Sequence, residues 1–597
     1  MSAVRNPFVD YLTRYTTASP DHEAAFDEFL AQAPPPTGGP LRLNTRVEDF
    51  VRACFACPEP PSVILTGNAG DGKTYLCRQI VATFTGHPVD DWEALAEQPL
   101  ERDGIRLHVI KDLSELGPEG GIDVLRKLAA AHESASADRY LIAANEGRLR
   151  DLLGQAQTPR LYQDVEQQLQ RGVDAGSRQL VVINLTAVTT STFVPAALRW
   201  MTADEHWAAC APCPIRERCP VRHNALRLSD PHIAGRVQLL YQLLEHLDIH
   251  VTVRDMLIHL AYTLTGDRRC YELQGLDARR TDRSGLAYYA NIWGGPEGGA
   301  FRRKASVVQH LDRLRVGDHS LFEIDDFIVN GAEQSEHAAT HRQLFAPAVD
   351  LDFRRFGQDR LAYVEGGAEQ RAGEEAGALL AWLPHCRRKL FFEWRDEQRV
   401  NQLIAFRYLD TYLRLLADER GAHEEVCRHL VLGLNRAFSR LYLTDSDTLY
   451  VTSQYLHSAE QSRPLVRLAI PASGITLLRV DPRVEQAFDR AWPDLYLRIG
   501  APPALLLHNP SAAGPQSWRL NLLLFEYLMR LAHGGTYNVL AEECELSVRN
   551  LKDRLLSAFA SEPDADDDVV EFFVAERRRY SLKRLRIDKQ GVILAGG

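Results

Sequence analysis

The first half of the chain alternates short apolar, β-branched runs with longer amphipathic stretches. Val63 to Leu65, Ile105 to Ile110, Tyr140 to Ala144 and Leu180 to Leu185 are the apolar runs. Runs of this length and composition are buried parallel strands, and the helical periods between them are the crossovers that parallel strands need. That order predicts an α/β fold, a doubly wound parallel sheet flanked by helices, with its ligand site at the C-terminal edge of the strands. Ahead of the sheet, Phe8, Tyr11, Leu12 and Tyr15 share one helical face. The segment up to about residue 60 is expected to be helical, broken at Pro34-Pro35-Pro36-Thr37-Gly38-Gly39-Pro40 and resumed from Val47 to Cys54.

The second half is less regular. Asn224 to Leu273 has helical spacing, as does Asn401 to Tyr442, and Glu365 to Gly377 has the composition of a linker. Leu449 to Thr452 and Ile475 to Leu478 are expected strands, and Trp518 to Phe559 an expected helical stretch. An acidic run, Glu562 to Asp568, precedes Val569 to Phe573 and the basic Arg577 to Arg586. That basic run alternates as a strand does. It suits either contact with a phosphate backbone or an edge strand guarded by charge.

Composition narrows the class. The chain has 597 residues, 45% hydrophobic and 25% charged, as in a globular protein with room for several domains. No apolar run approaches the roughly 18 to 20 residues that span a bilayer, and the start of the chain lacks the apolar core of a signal peptide. A cytoplasmic protein without membrane contact is therefore expected, with its ten cysteines reduced. The net charge of −11 argues against nucleic-acid binding by the whole surface but leaves room for a local basic groove.

The chemistry is concentrated after the first strand. Gly67-Asn68-Ala69-Gly70-Asp71-Gly72-Lys73-Thr74, followed by Tyr75, is a Gly-x-x-x-x-Gly-Lys-Thr loop set between a strand and a helix. Its glycines let successive N–H groups turn inward around a phosphate. Lys73 adds charge for the β- and γ-phosphates, the Thr74 hydroxyl can ligate Mg²⁺, and the helix aims its positive end at the same anion. ATP with Mg²⁺ is the expected ligand. Asp112 closes the second strand, where a carboxylate can reach Mg²⁺, and Glu115 follows it by three residues. Asn145 and Glu146 close the third strand. Either Glu115 or Glu146 can polarise the attacking water, and Asn145 can sense the γ-phosphate.

A second stretch carries different chemistry. Cys210, Cys213, Cys219 and His223 form Cys-x2-Cys-x5-Cys-x3-His in a proline-rich loop, and Cys270 is an alternative fourth ligand. The set suits structural zinc, or with four thiolates an iron–sulfur cluster. The spaced pair Cys54 and Cys57 has no second knuckle beside it and is expected at a helix end.

The order of Gly67 to Thr74, Asp112-Leu113-Ser114-Glu115 and Ala144-Asn145 resembles that of AAA-type P-loop ATPases: Walker A, Walker B, sensor 1. The resemblance implies that Asp248 to Leu257 belongs to a helical lid, with Arg254 as the sensor 2 arginine. The sequence departs from the pattern between Gln79 and Gly104, where a further strand is missing, and in Walker B, which is Asp-x-x-Glu. Gly-Asn-Ala-Gly-Asp-Gly-Lys-Thr, Lys-Asp-Leu-Ser-Glu, Ala-Ala-Asn-Glu-Gly and Trp-x2-Cys-x2-Cys-x5-Cys-Pro together resemble the ATPases of bacterial anti-phage restriction modules, the DptF type of phosphorothioation-dependent restriction among them, over roughly residues 45 to 275. That resemblance implies an oligomeric ATPase acting with other restriction subunits, with DNA as a further partner. The implied organisation is an N-terminal helical segment (1–45), the ATPase core (46–205), the Cys-rich metal-binding loop (206–224), the helical lid (225–275), a mixed α/β region (276–510), and a C-terminal region of helix and strand that contacts nucleic acid or a partner (511–597).

Overall fold

The computed structural model describes residues 4–16, 34–87, 98–134, 136–172, 179–275, 284–295, 300–345, 353–366, 373–418, 423–453, 465–482, 488–502, 514–535, 542–559, 568–576, 579–588 and 591–595. The acidic run before residue 568 and the centre of the expected linker lie outside them. The chain divides into two compact units, 1–405 with 482–491, and 406–481 with 492–597. No helix among the described residues is long and apolar enough to cross a membrane.

The first unit is built on a five-stranded sheet. After α1 (Pro7–Thr16) and α2 (Arg46–Ala56) come β1 (Ser62–Thr66), α3 (Lys73–Thr85), β2 (Leu100–Arg102), β3 (Ile105–Ile110), α4 (Gly117–Glu133), β4 (Asp138–Ala144), α5 (Glu146–Ala156), α6 (Pro159–Arg171) and β5 (Leu180–Asn184). The strand order is β2-β3-β4-β1-β5. β3, β4, β1 and β5 are parallel, whereas β2 is antiparallel to β3. The missing strand thus exists, but as a short hairpin arm. Asp103 and Gly104 both take positive φ (49° and 81°), the two-residue turn that matches strand twist.

Alternate strand residues serve opposite faces, as the period of two requires. Val63 and Leu65 pack with Val51, Phe55, Ile80 and Phe84 of α2 and α3. Ile64 and Ile142 pack with Leu125, Leu149, Leu153 and Val165 of α4, α5 and α6. The helix that follows β1 therefore covers one face, and those that follow β3 and β4 cover the other.

Helices make up the rest of the described part of this unit. α7 (Val194–Met201), α8 (Pro220–Leu228), α9 (Pro231–His246), α10 (Val253–Thr265) and α11 (Cys270–Gly275) follow the sheet, and further helices continue to α12 (Glu374–Glu393). A polar pair inside this core is satisfied. His259 Nδ1 lies 2.6 Å from the Tyr241 hydroxyl and Nε2 lies 2.8 Å from the Ile292 carbonyl oxygen. Burial lowers the pKa of that ring to about 4, so it is neutral, donates to Ile292 and accepts from Tyr241.

The second unit contains α13 (His423–Ser439), β6 (Thr448–Thr452), β7 (Leu465–Pro471), β8 (Ile475–Val480), β9 (Asp494–Ile499), β10 (Gln516–Leu520), α14 (Leu522–Ala532), α15 (Glu542–Phe559), β11 (Asp568–Glu576), β12 (Arg579–Asp588) and β13 (Gly591–Ala595). Its two antiparallel sheets have the orders β10-β9-β8 and β13-β12-β11-β7-β6. Trp518 lies in a strand and not in the expected helix, because Gln516 to Leu520 pair with β9. The basic strand β12 is not an edge. It pairs with β11 on one side and β13 on the other, and Arg584 meets Glu571 at 2.8 Å.

Candidate functional site

β1 runs straight into the glycine loop, and the loop into α3. Gly72 is the N-cap of α3 in the left-handed region, which costs glycine little and other residues more. Gly70 is also left-handed, at φ 97°. The loop is held by its own side chains. Lys73 Nζ donates to the carbonyls of Gly67 (2.8 Å) and Asn68 (2.7 Å), and Asp71 Oδ2 accepts from Asn68 N at 2.6 Å. Asn68 and Ala69 are exposed at the crown, Thr74 is half-buried in the first turn of α3, and Tyr75 is exposed beside it. β1 and β4 are neighbours whose following helices leave to opposite faces, which opens a crevice at their C-terminal ends. The glycine loop lies there.

The remaining predicted residues gather around the same sheet edge. Asp112 is half-buried just beyond β3, two strand spacings or about 10 Å from β1, and its Oδ1 accepts from Ser114 N at 2.8 Å. Glu115 stands exposed on the turn that follows. Asn145 caps α5, accepting from Gly147 N at 3.0 Å. Glu146 accepts from Asn184 Nδ2 at 2.9 Å and pairs with Arg150 at 3.2 Å. Thr66 at the end of β1 is paired with Ala144 on one side and Asn184 on the other, so the Glu146–Asn184 contact crosses the end of β1. The two candidate glutamates are thereby distinguished: Glu146 is held over the β1 edge and Glu115 faces solvent.

The helices expected as a lid reach the loop at the start of α10. Thr252 caps this helix, and Arg254 N donates to the Gly70 carbonyl at 3.2 Å. Contact is close enough that a Cβ on Gly70 would stand 2.9 Å from both Arg254 Cβ and Thr252 Oγ1. Between loop, lid and α2 lies a cavity of about 360 Å³. Gly72, Tyr75, Leu41, Val47, Arg254 and Asp489 line it. That volume, with apolar walls and few polar groups, is within the range of small-molecule sites.

Asn184, His250 and Asp489 were not singled out in the sequence. Asn184 was legible as the polar end of a strand. Asp489 had no local signal, since its partners are more than 400 residues away: its carboxylate accepts from Arg46 N at 2.9 Å and Val47 N at 3.1 Å.

The cysteines form a second centre. Cys210, Cys213, Cys219 and Cys270 line one cavity of about 20 Å³, and His223 is not among its lining residues. Burial raises the thiols of Cys210 and Cys270 and pushes Cys219 up to about 11. Among the described residues no three His, Cys, Asp or Glu side chains are arranged to hold a metal as they stand. Cys54 lies near the end of α2 and Cys57 is its C-cap.

Compared with known proteins, the chain matches no protein family, no curated protein and no solved structure.

Proposed function

We propose that this protein is a Mg²⁺-dependent ATPase of a bacterial anti-phage DNA restriction complex, in which nucleotide binding and hydrolysis drive DNA sensing or control of partner subunits. One observation carries the enzymatic part. A Gly-Lys-Thr loop occupies the crevice between two parallel strands whose helices diverge, with Asp112, Glu146 and Arg254 around it. The defence role rests on the motif resemblance alone.

Chemistry of this kind is positioning and charge stabilisation. The loop amides and Lys73 would meet the phosphates. Thr74 and Asp112 would hold Mg²⁺, which would neutralise charge on the phosphates. Glu146, aimed by Asn184, would be the base, and Asn145 and Arg254 would sense the γ-phosphate. The test is the ATPase rate of the full chain alone, with duplex DNA and with single-stranded DNA across a salt series, with Lys73→Ala as control. Stimulation that fades with salt supports a DNA-driven enzyme. Wild type that fails to bind ATP overturns the reading.

A second reading is a nucleotide-gated switch. The Arg150 pairing of Glu146 and the exposure of Glu115 favour it, since neither carboxylate is then poised on a water. Tight ATP binding with a flat, near-zero rate in every DNA condition would select it.

A further inference from the structure

We propose that Cys210, Cys213, Cys219 and Cys270 bind one Zn²⁺ ion as a four-thiolate centre, held in shape by Asn6 and fastening the start of the chain to the lid. The four cysteines come from three places in the fold. Cys210 and Cys213 flank one turn, in which Cys213 N donates to Cys210 O at 3.1 Å; Cys219 is the N-cap of α8; Cys270 is the first residue of α11. They ring a single small cavity.

What surrounds the sulfurs is a set of N–H donors of the kind that orient metal-bound thiolates. Each of the four receives an N–H group. Asn6 donates from its backbone to Cys270 Sγ (3.4 Å) and from its side-chain amide to Cys210 Sγ (3.3 Å). Gln274 Nε2 approaches Cys213 Sγ at 3.9 Å, and the backbone N–H groups of Val221 and Arg222 serve Cys219. A neutral thiol is a weak acceptor, whereas a metal-bound thiolate is routinely fixed by such outer donors. Charge agrees. Four thiolates around a divalent cation leave two negative charges in excess, and Arg216 and Arg222 line the same cavity. The cavity that the four cysteines ring, about 20 Å³, is small enough to close round one ion. Closing the ring to Zn–S bonds of about 2.3 Å is a movement of side chains inward.

His223, one helical turn beyond Cys219, donates its backbone N–H to the Cys219 carbonyl at 2.9 Å and is not among the residues lining the cavity, so Cys270 is taken as the fourth ligand. The ion would be structural, with all four positions filled by protein. Its mechanical consequence follows from Asn6. The residue also donates to the His206 carbonyl, and Phe8, two residues on, stacks on the His206 ring at 3.8 Å. α1, which begins there, packs on α10, the helix whose first turn carries Arg254 to the glycine loop.

The test is metal analysis of the full chain purified without chelator, for wild type, Cys270→Ser, His223→Ala and Asn6→Ala. The expected result is one zinc per chain in wild type and His223→Ala, and none in Cys270→Ser. Asn6→Ala should keep the ion but surrender it to a chelator about tenfold more readily, the usual scale for losing an outer hydrogen bond. Should Cys270→Ser fail to fold, Co²⁺ exchanged into wild type decides, because four thiolates and three thiolates with an imidazole give different charge-transfer intensity. Metal-free wild type, iron with sulfide, or loss of zinc in His223→Ala would each overturn the proposal.

Discussion

His250 Nε2 lies 2.8 Å from Asp71 Oδ1, so a side chain from the segment just before α10 grips the carboxylate inside the glycine loop. Burial alone would lower the pKa of His250, but the hydrogen bond and the charge of Asp71 outweigh it and raise the ring above its ordinary value. A raised folded-state pKa means that the stabilisation is complete below the unfolded value of about 6.5 and is lost as pH rises through the folded value. His250→Gln should therefore unfold at a lower temperature than wild type near pH 6, and the gap should shrink toward pH 8. Thermal unfolding of both proteins over that range checks it. A gap that widens with pH would contradict the ion pair.

The glycines of the loop should not be equivalent. Gly70→Ala meets two lid atoms at 2.9 Å in a left-handed backbone, whereas Gly72→Ala meets nothing within 4 Å and suffers the backbone strain alone. Such strain costs about 1 to 3 kcal/mol, and Gly70→Ala adds displacement of Arg254. Gly70→Ala should lower stability more and weaken nucleotide binding more. Denaturant unfolding paired with nucleotide titration separates the two variants.

Glu146→Gln should lower kcat by at least about 100-fold while leaving ATP binding intact, and Glu115→Gln should change kcat by less than about threefold. Asn184→Ala, which leaves Glu146 without its amide partner, should fall between them. Single-turnover hydrolysis is the readout, and equal defects in the two glutamine variants would return Glu115 to contention.

Asp489→Ala should destabilise the first unit by about 1 kcal/mol, the scale of a lost helix N-terminal acceptor. Because Asp489 also lines the cavity beside the loop, the same variant should raise the nucleotide Kd. Denaturant unfolding and nucleotide titration of the full chain test both, and an unchanged Kd would leave Asp489 as a cap only.

The sheet was legible because its signals are local. Val63 to Leu65 and Leu180 to Ile183 are continuous apolar runs, and such runs are buried wherever they fall. The hairpin arm at Leu100 was not legible, since three residues carry no period. Trp518 to Leu520 reads as helix for a related reason: the apolar residues continue into α14, and only pairing with β9 marks the boundary. The basic face of β12 was visible in the sequence, but not that Glu571 of the neighbouring strand would meet Arg584.

By itself the sequence determined the glycine loop at Gly67 to Thr74, the strands that flank it and the stock of thiols in the Cys-rich loop. Those depend on backbone freedom and on apolar runs a few residues long. Tertiary structure decided which side chains meet. It set Glu146 against Asn184, Asp71 against His250 and Cys270 beside Cys210, and it brought Asp489 to Arg46. Such contacts join residues tens to hundreds of positions apart, and only the burial of a shared core brings them within hydrogen-bonding reach.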